Sequence, residues 1–204
     1  MVKKESKNNE ILLPNRKSFL KDVENGFFNK LVIFDISGFG NINHYYGYDF
    51  GEKILKIISF TLQERFENSQ MYYLGGDIFV ATASENISKE RFIQTIKATT
   101  WHFGYSPIEL DGHKVYIPLR AGVAINYPEL LFCAEFALKQ TRVLKHNLVI
   151  FDSEQHQVCH PNSLSIEQDL YWEAQIIQAI KKDRFEIFAQ SISNQNDKKY
   201  EILV

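Results

Sequence analysis

Two aspartates stand where a carboxylate can do chemistry. Asp77 follows the glycine pair Gly75-Gly76, which lies between the apolar, β-prone runs Met71 to Leu74 and Ile78 to Thr82. That pattern predicts a hairpin whose turn draws on the backbone freedom of glycine. Such a turn holds one carboxylate at its tip beside bare backbone. A large anionic ligand can approach closely there, and a carboxylate can hold a divalent metal against its phosphates. Asp35 ends the apolar run Leu31-Val32-Ile33-Phe34, the form of a buried strand that delivers a single charge to a sheet edge. On these residues alone, a plain hairpin with a solvated aspartate and an unrelated strand-end acid describe the sequence as well.

The surrounding motifs narrow the reading. In order along the chain come Leu13-Pro14-Asn15-Arg16, then Phe34-Asp35-Ile36-Ser37-Gly38-Phe39-Gly40-Asn41-Ile42-Asn43, then Gly47-Tyr48-Asp49-Phe50-Gly51-Glu52, then Gly75-Gly76-Asp77-Ile78-Phe79. Together they resemble the GGDEF domain of diguanylate cyclases, from about Leu13 to Asp152. The resemblance implies an α/β (α+β) fold with a mixed central sheet flanked by helices, similar to nucleotide cyclases and polymerase palms. It implies condensation of two GTP molecules into cyclic dimeric GMP across a two-fold homodimer. Mg²⁺ or Mn²⁺ would polarise the phosphates and help deprotonate the attacking 3′-hydroxyl. Asp35 and Asp77 match the catalytic and metal-ligand positions, with the Ile36 carbonyl as a backbone ligand. Asn43 matches the guanine-contacting asparagine, and Glu52 stands where aspartate is usual. As isolated residues near helix starts, Asn43 and Glu52 also read as caps. Phe39, Gly75, Gly76 and Arg142 complete the nucleotide-binding set that the resemblance implies.

Several positions depart from that pattern. Ile78 replaces the second acid of the signature, Gly40 stands for a phosphate-binding lysine, and Tyr73 replaces an arginine. Arg142 replaces a lysine, keeping the charge but not its point-like geometry, and His146 replaces the arginine that follows. The family's inhibitory Arg-x-x-Asp site is absent, because Phe66 and Ser69 occupy its places; Arg65 is one position out of register. Losing one group that stabilises a developing charge commonly costs about 10²–10³ in rate. The expectation is a degenerate domain with weak or no cyclase activity, regulating an attached phosphodiesterase and binding GTP or cyclic dimeric GMP. A dimerising scaffold without ligand and an active cyclase are the alternatives.

The elements that must position these residues follow from periodicity. Expected helices run from an Asn15 cap to Asn25, around Asn41 to Tyr45, from Asp49 to Phe66, from a Ser88 cap to Thr100, and from Glu129 to Leu144. Expected strands are Leu31 to Ile36, the two arms of the Gly75-Gly76 hairpin, Trp101 to Leu110 paired with His113 to Ile125, and Leu148 to Phe151. Residues 1–12 read as a polar tail and 153–164 as a linker. In that linker His156 and His160 read as solvated residues rather than a metal pair. Residues 165–204 resemble the opening of an EAL phosphodiesterase domain: a helix from Ser165 to Lys182, then the strand-like runs Phe185 to Gln190 and Tyr200 to Val204. The namesake motif would fall on Glu201-Ile202-Leu203.

Composition agrees with a packed chain. Of 204 residues 45% are hydrophobic and 14% aromatic, enough for a core. The net charge of −2 argues against a general nucleic-acid binder. Cys133 and Cys159 give no disulfide framework and suit a reducing, cytoplasmic compartment. No apolar run is long enough to span a bilayer.

Overall fold

The computed structural model describes residues 11–154, 178–179, 181–182, 184, 188–194 and 197–203. The chain divides into two compact units, Met1–Cys159 and His160–Val204.

The first unit is built on a five-stranded sheet. Its central strand, β1 (Lys30–Ile36), is buried along its whole length. That explains why its sequence is nearly continuous in apolar residues rather than alternating. β2 (Gln70–Gly75) and β3 (Ile78–Ala83) form the hairpin, and β6 (Leu119–Ile125) and β7 (Leu148–Asp152) lie on the other side, in the order β2-β3-β1-β6-β7. β1 is antiparallel to both neighbours, and β6 and β7 are parallel. The sheet is therefore mixed, as expected.

The pleat sorts the core into two faces. Val32, Phe34 and Ile36 point to the side covered by α3 (Tyr48–Arg65) and α4 (Lys89–Tyr105), where they meet Ile54, Ile58, Leu62, Phe92, Ile96 and Phe103. Leu31 and Ile33 point to the other side, against Phe19 of α1 (Arg16–Asn25) and Cys133 and Ala134 of α5 (Leu130–Leu144). Each buried Leu, Ile or Phe contributes about 1.5–3 kcal/mol, so both helical layers are held mainly by these contacts. Ile57 lies at the edge of the stripe formed by Ile54, Ile58 and Leu62 and is only half-buried. Two caps occur where the sequence places them. The Asn15 side chain accepts from the Lys17 and Ser18 amides, and the Ser88 hydroxyl accepts from that of Arg91.

Three expectations are corrected. α4 continues to Tyr105, so Trp101 to Tyr105 is helix and not strand. Phe103 carries on the buried spacing of Phe92 and Ile96, and that burial outweighs the β preference of Trp101 and Tyr105. The remaining pair is short: β4 (Ile108–Leu110) and β5 (His113–Val115) make a separate two-stranded sheet turned at Asp111-Gly112. β5 and β6 are separate strands because Pro118 lies between them and has no N–H to give a ladder. Its carbonyl instead accepts from the Ser37 amide at 2.9 Å. Finally, Cys133 is disulfide-bonded, so the expectation of no disulfide does not hold.

In the second unit, β8 (Phe188–Asn194) and β9 (Asp197–Leu203) pair antiparallel, with Gln190 opposite Glu201. β8 ends later than the run read from sequence and β9 begins three residues earlier, while Phe185 to Ile187 lie outside the described residues. Most of the expected Ser165–Lys182 helix, and His156 and His160, lie outside the described residues; Gln178, Ala179 and Lys181 are helical. No described helix is long and apolar enough to cross a membrane.

Candidate functional site

The two aspartates meet at one end of the main sheet. Asp35 pairs across the ladder with Ile78, and the Ile36 amide donates to the Asp77 carbonyl at 3.2 Å. The hairpin thus places Asp77 one step beyond the strand partner of Asp35. Gly75 and Gly76 both have positive φ (101° and 62°), which fits a tight turn that only glycine enters cheaply. Asp77 is half-buried. Its burial, and next the neighbouring charge of Asp35, push its carboxyl above the ordinary range, while Arg142 and Arg120 act in the opposite sense.

Asp35 is 3% exposed, a buried charge that must be paired. Its partner is a residue the sequence reading missed. Arg120 stands directly opposite Asp35 on β6, and its Nε and an Nη donate to Asp35 Oδ2 at 2.9 and 2.7 Å. Arg142, from the last turn of α5, reaches the same oxygen at 3.5 Å and remains 62% exposed. The available signal was a single cation in the otherwise apolar run Leu119-Arg120-Ala121-Gly122-Val123-Ala124-Ile125.

Asn43 and Glu52 lie on the next two helices. α2 (Phe39–Tyr46) opens at Gly38, whose φ of 75° turns the chain away from β1. The first-turn amides of Phe39 and Gly40 precede any carbonyl of their own helix, so they face outward as an anion-attracting end. The Phe39 side chain is 9% exposed and packs in the core, so only its backbone can meet a ligand. Asn43 lies flat on α3: a β-carbon on Gly51 would sit 1.8 Å from its Oδ1. That oxygen is buried and has no hydrogen-bond partner among the described residues. Glu52, one residue on, is exposed. Tyr73 stands between the two halves of the site. Its hydroxyl donates to the Gly76 carbonyl at 3.0 Å, and burial, then Glu52, then Asp77 raise its pKa.

A divalent cation does not fit this set as it stands. Oδ2 of Asp35 already carries contacts from two guanidinium groups. Among the described residues no cluster of three or more His, Cys, Asp or Glu could hold a metal ion. Asp35 and Asp77 are balanced in charge by Arg120 and Arg142, whereas a bound ion would sit close to both cations.

Similarity to known proteins gives the family. The family described as "Diguanylate cyclase, GGDEF domain" matches residues 11–142. The chain belongs to this family. Among curated proteins, it is 28% identical over 176 residues to the cyclic di-GMP phosphodiesterase NbdA of Pseudomonas aeruginosa; the match covers 79% of this chain and 21% of that protein. The chain thus spans about a fifth of its relative's length. Among solved structures, the GGDEF fold recurs in a diguanylate cyclase/phosphodiesterase from Caldicellulosiruptor saccharolyticus (TM-score 0.61, 18% identity, 70% of this chain and 91% of that one). It recurs also in the GGDEF domain of DgcB from Caulobacter crescentus, in complex with c-di-GMP (TM-score 0.61, 17% identity, 76% and 97%).

Proposed function

We propose that this GGDEF domain has a degenerate signature, takes up a guanine nucleotide without condensing it, and regulates an EAL phosphodiesterase whose opening is residues 165–204. One observation carries the reading: Asp35, the acid that a metal-assisted cyclase needs free, is held by Arg120 at 2.7 and 2.9 Å. With Ile78 in place of a further acid, the site lacks the means to activate a 3′-hydroxyl. Recognition is better preserved. The NH₂ of Asn43 can donate to guanine O6, and the Glu52 carboxylate can accept from its N–H edge. The α2 amides and Arg142 suit the phosphates. The likeness to NbdA supports the phosphodiesterase connection, since it covers a longer stretch than residues 11–142. Cyclic dimeric GMP is then the currency of the whole protein, and a homodimer its natural assembly.

Incubating the purified chain with GTP and Mg²⁺ or Mn²⁺ tests the first half; steady formation of cyclic dimeric GMP would overturn it. Calorimetry with GTP tests the second, with Asn43→Ala and Glu52→Ala expected to weaken binding. The self-paired charges of Asp35, Arg120 and Arg142 favour one other reading, a dimerising platform with no ligand. Failure of every guanine nucleotide to raise the melting temperature would select it, because a ligand that binds only the folded state must stabilise it.

A further inference from the structure

We propose that Arg120 takes the place of the divalent cation, excluding metal from this site and meeting the nucleotide's phosphates itself. The phosphate half of the proposal rests on the guanine-nucleotide reading above; the exclusion of metal does not. Arg120 is fixed by the sheet, because β1 and β6 pair in a register that sets Arg120 against Asp35. Its side chain is 24% exposed and that of Asp35 only 4%. The pair is therefore largely withdrawn from water, and separating it would leave a buried carboxylate alone. Two of its donors converge on one oxygen, Oδ2, so a metal taking that oxygen would have to displace both. A guanidinium has further N–H groups beyond those two, and it stays charged at any working pH, so it can hold an anion and a carboxylate together. The strand partner of Asp35 on the other side is Ile78, which adds no charge that could offset an incoming cation. Arg142, more exposed on α5, supplies a second guanidinium at the same oxygen. The phosphates of a nucleotide lying from Asn43 and Glu52 toward the hairpin would thus meet two fixed cations with no metal between them.

The test uses the full chain and two probes, Mn²⁺ followed by electron paramagnetic resonance, and GTP followed by calorimetry with either EDTA or Mg²⁺. The wild-type chain is expected to take up no Mn²⁺ at this site and to bind GTP equally, within about twofold, under both conditions. Arg120→Ser should expose Asp35, create a Mn²⁺ site that a second change, Asp77→Asn, abolishes, and weaken GTP binding in EDTA by about tenfold or more, the scale of a lost charged hydrogen bond. Arg120→Lys keeps the charge and the fold, and should exclude Mn²⁺ like the wild type. Mn²⁺ uptake by the wild-type chain that is lost in Asp35→Asn, or Mn²⁺ uptake by Arg120→Lys, would overturn the exclusion of metal. GTP binding that requires Mg²⁺ would overturn the phosphate role while leaving the nucleotide reading intact. Absence of GTP binding under both conditions would overturn the nucleotide reading and the phosphate role together, with Mn²⁺ still deciding the exclusion.

Discussion

Residues 35 and 77 were legible from sequence because Asp35 ends an apolar run and Asp77 follows the glycine pair of a hairpin turn. Arg120 was not. Its importance lies in the register between β1 and β6, strands separated by more than eighty residues, and no local pattern encodes that alignment. Asn43 was recognised by type, but its posture depends on Gly51, which permits the amide to lie against α3. Gly51→Ala should therefore dislodge Asn43 and weaken GTP binding by about tenfold. The change in melting temperature should be small, since alanine returns about 1 kcal/mol of helix preference. Calorimetry and melting on one variant separate the two effects. Tyr72, buried on β2, provides a second check away from the site. Burial, and next its hydrogen bond to Asp22 at 2.8 Å, push its hydroxyl up to about 12. The folded chain keeps this proton where the unfolded chain, titrating near 10, has lost it. Stability is thus fully present below pH 10 and falls as pH rises toward 12, and Tyr72→Phe should flatten that alkaline decline in denaturant midpoints.

At the scale of elements, helix starts were read well because they have chemical markers, as at Asn15 and Ser88. Ends were read less well. α4 outran its expected end because Phe103 extends the buried stripe, and the long strand expected from His113 broke at Pro118. In both places packing or a missing donor overrode local preference. Near the site, β6 and α5 pack closely at Gly122. A β-carbon on Gly122 would fall 2.3 Å from the Ala134 carbonyl oxygen, 2.3 Å from the Leu138 nitrogen and 2.7 Å from its Cα. These are backbone atoms, which cannot swing away. Gly122→Ala should cost about 3 kcal/mol by forcing the helix off the sheet, measurable by denaturant unfolding. It should also draw Arg142, on α5, away from Arg120, on β6, and so weaken phosphate binding in whatever fraction remains folded.

For the molecule as a whole, the division at Cys159 and His160 predicts that a chain ending at Cys159 folds and melts as the full chain's first unit does, within about 2 °C. A larger loss would mean that the second unit supports the first. At the close of the first unit, Lys89 at the start of α4 holds Asp152 at 2.9 Å and also Glu154. Lys89→Ala should loosen β7, seen as faster amide exchange from Leu148 to Asp152, while leaving the hairpin protected.

This ion pair sits far from the aspartate site. Asp152 is level with Ile125 and Lys30, at the opposite end of the central strand from Asp35. At about 3.3 Å per residue, the steps from Lys30 to Asp35 put roughly 17 Å between the ion pair and the aspartates. A ligand held at the aspartates would therefore touch neither Lys89 nor Asp152 directly, and only the strand between them could carry its effect that far.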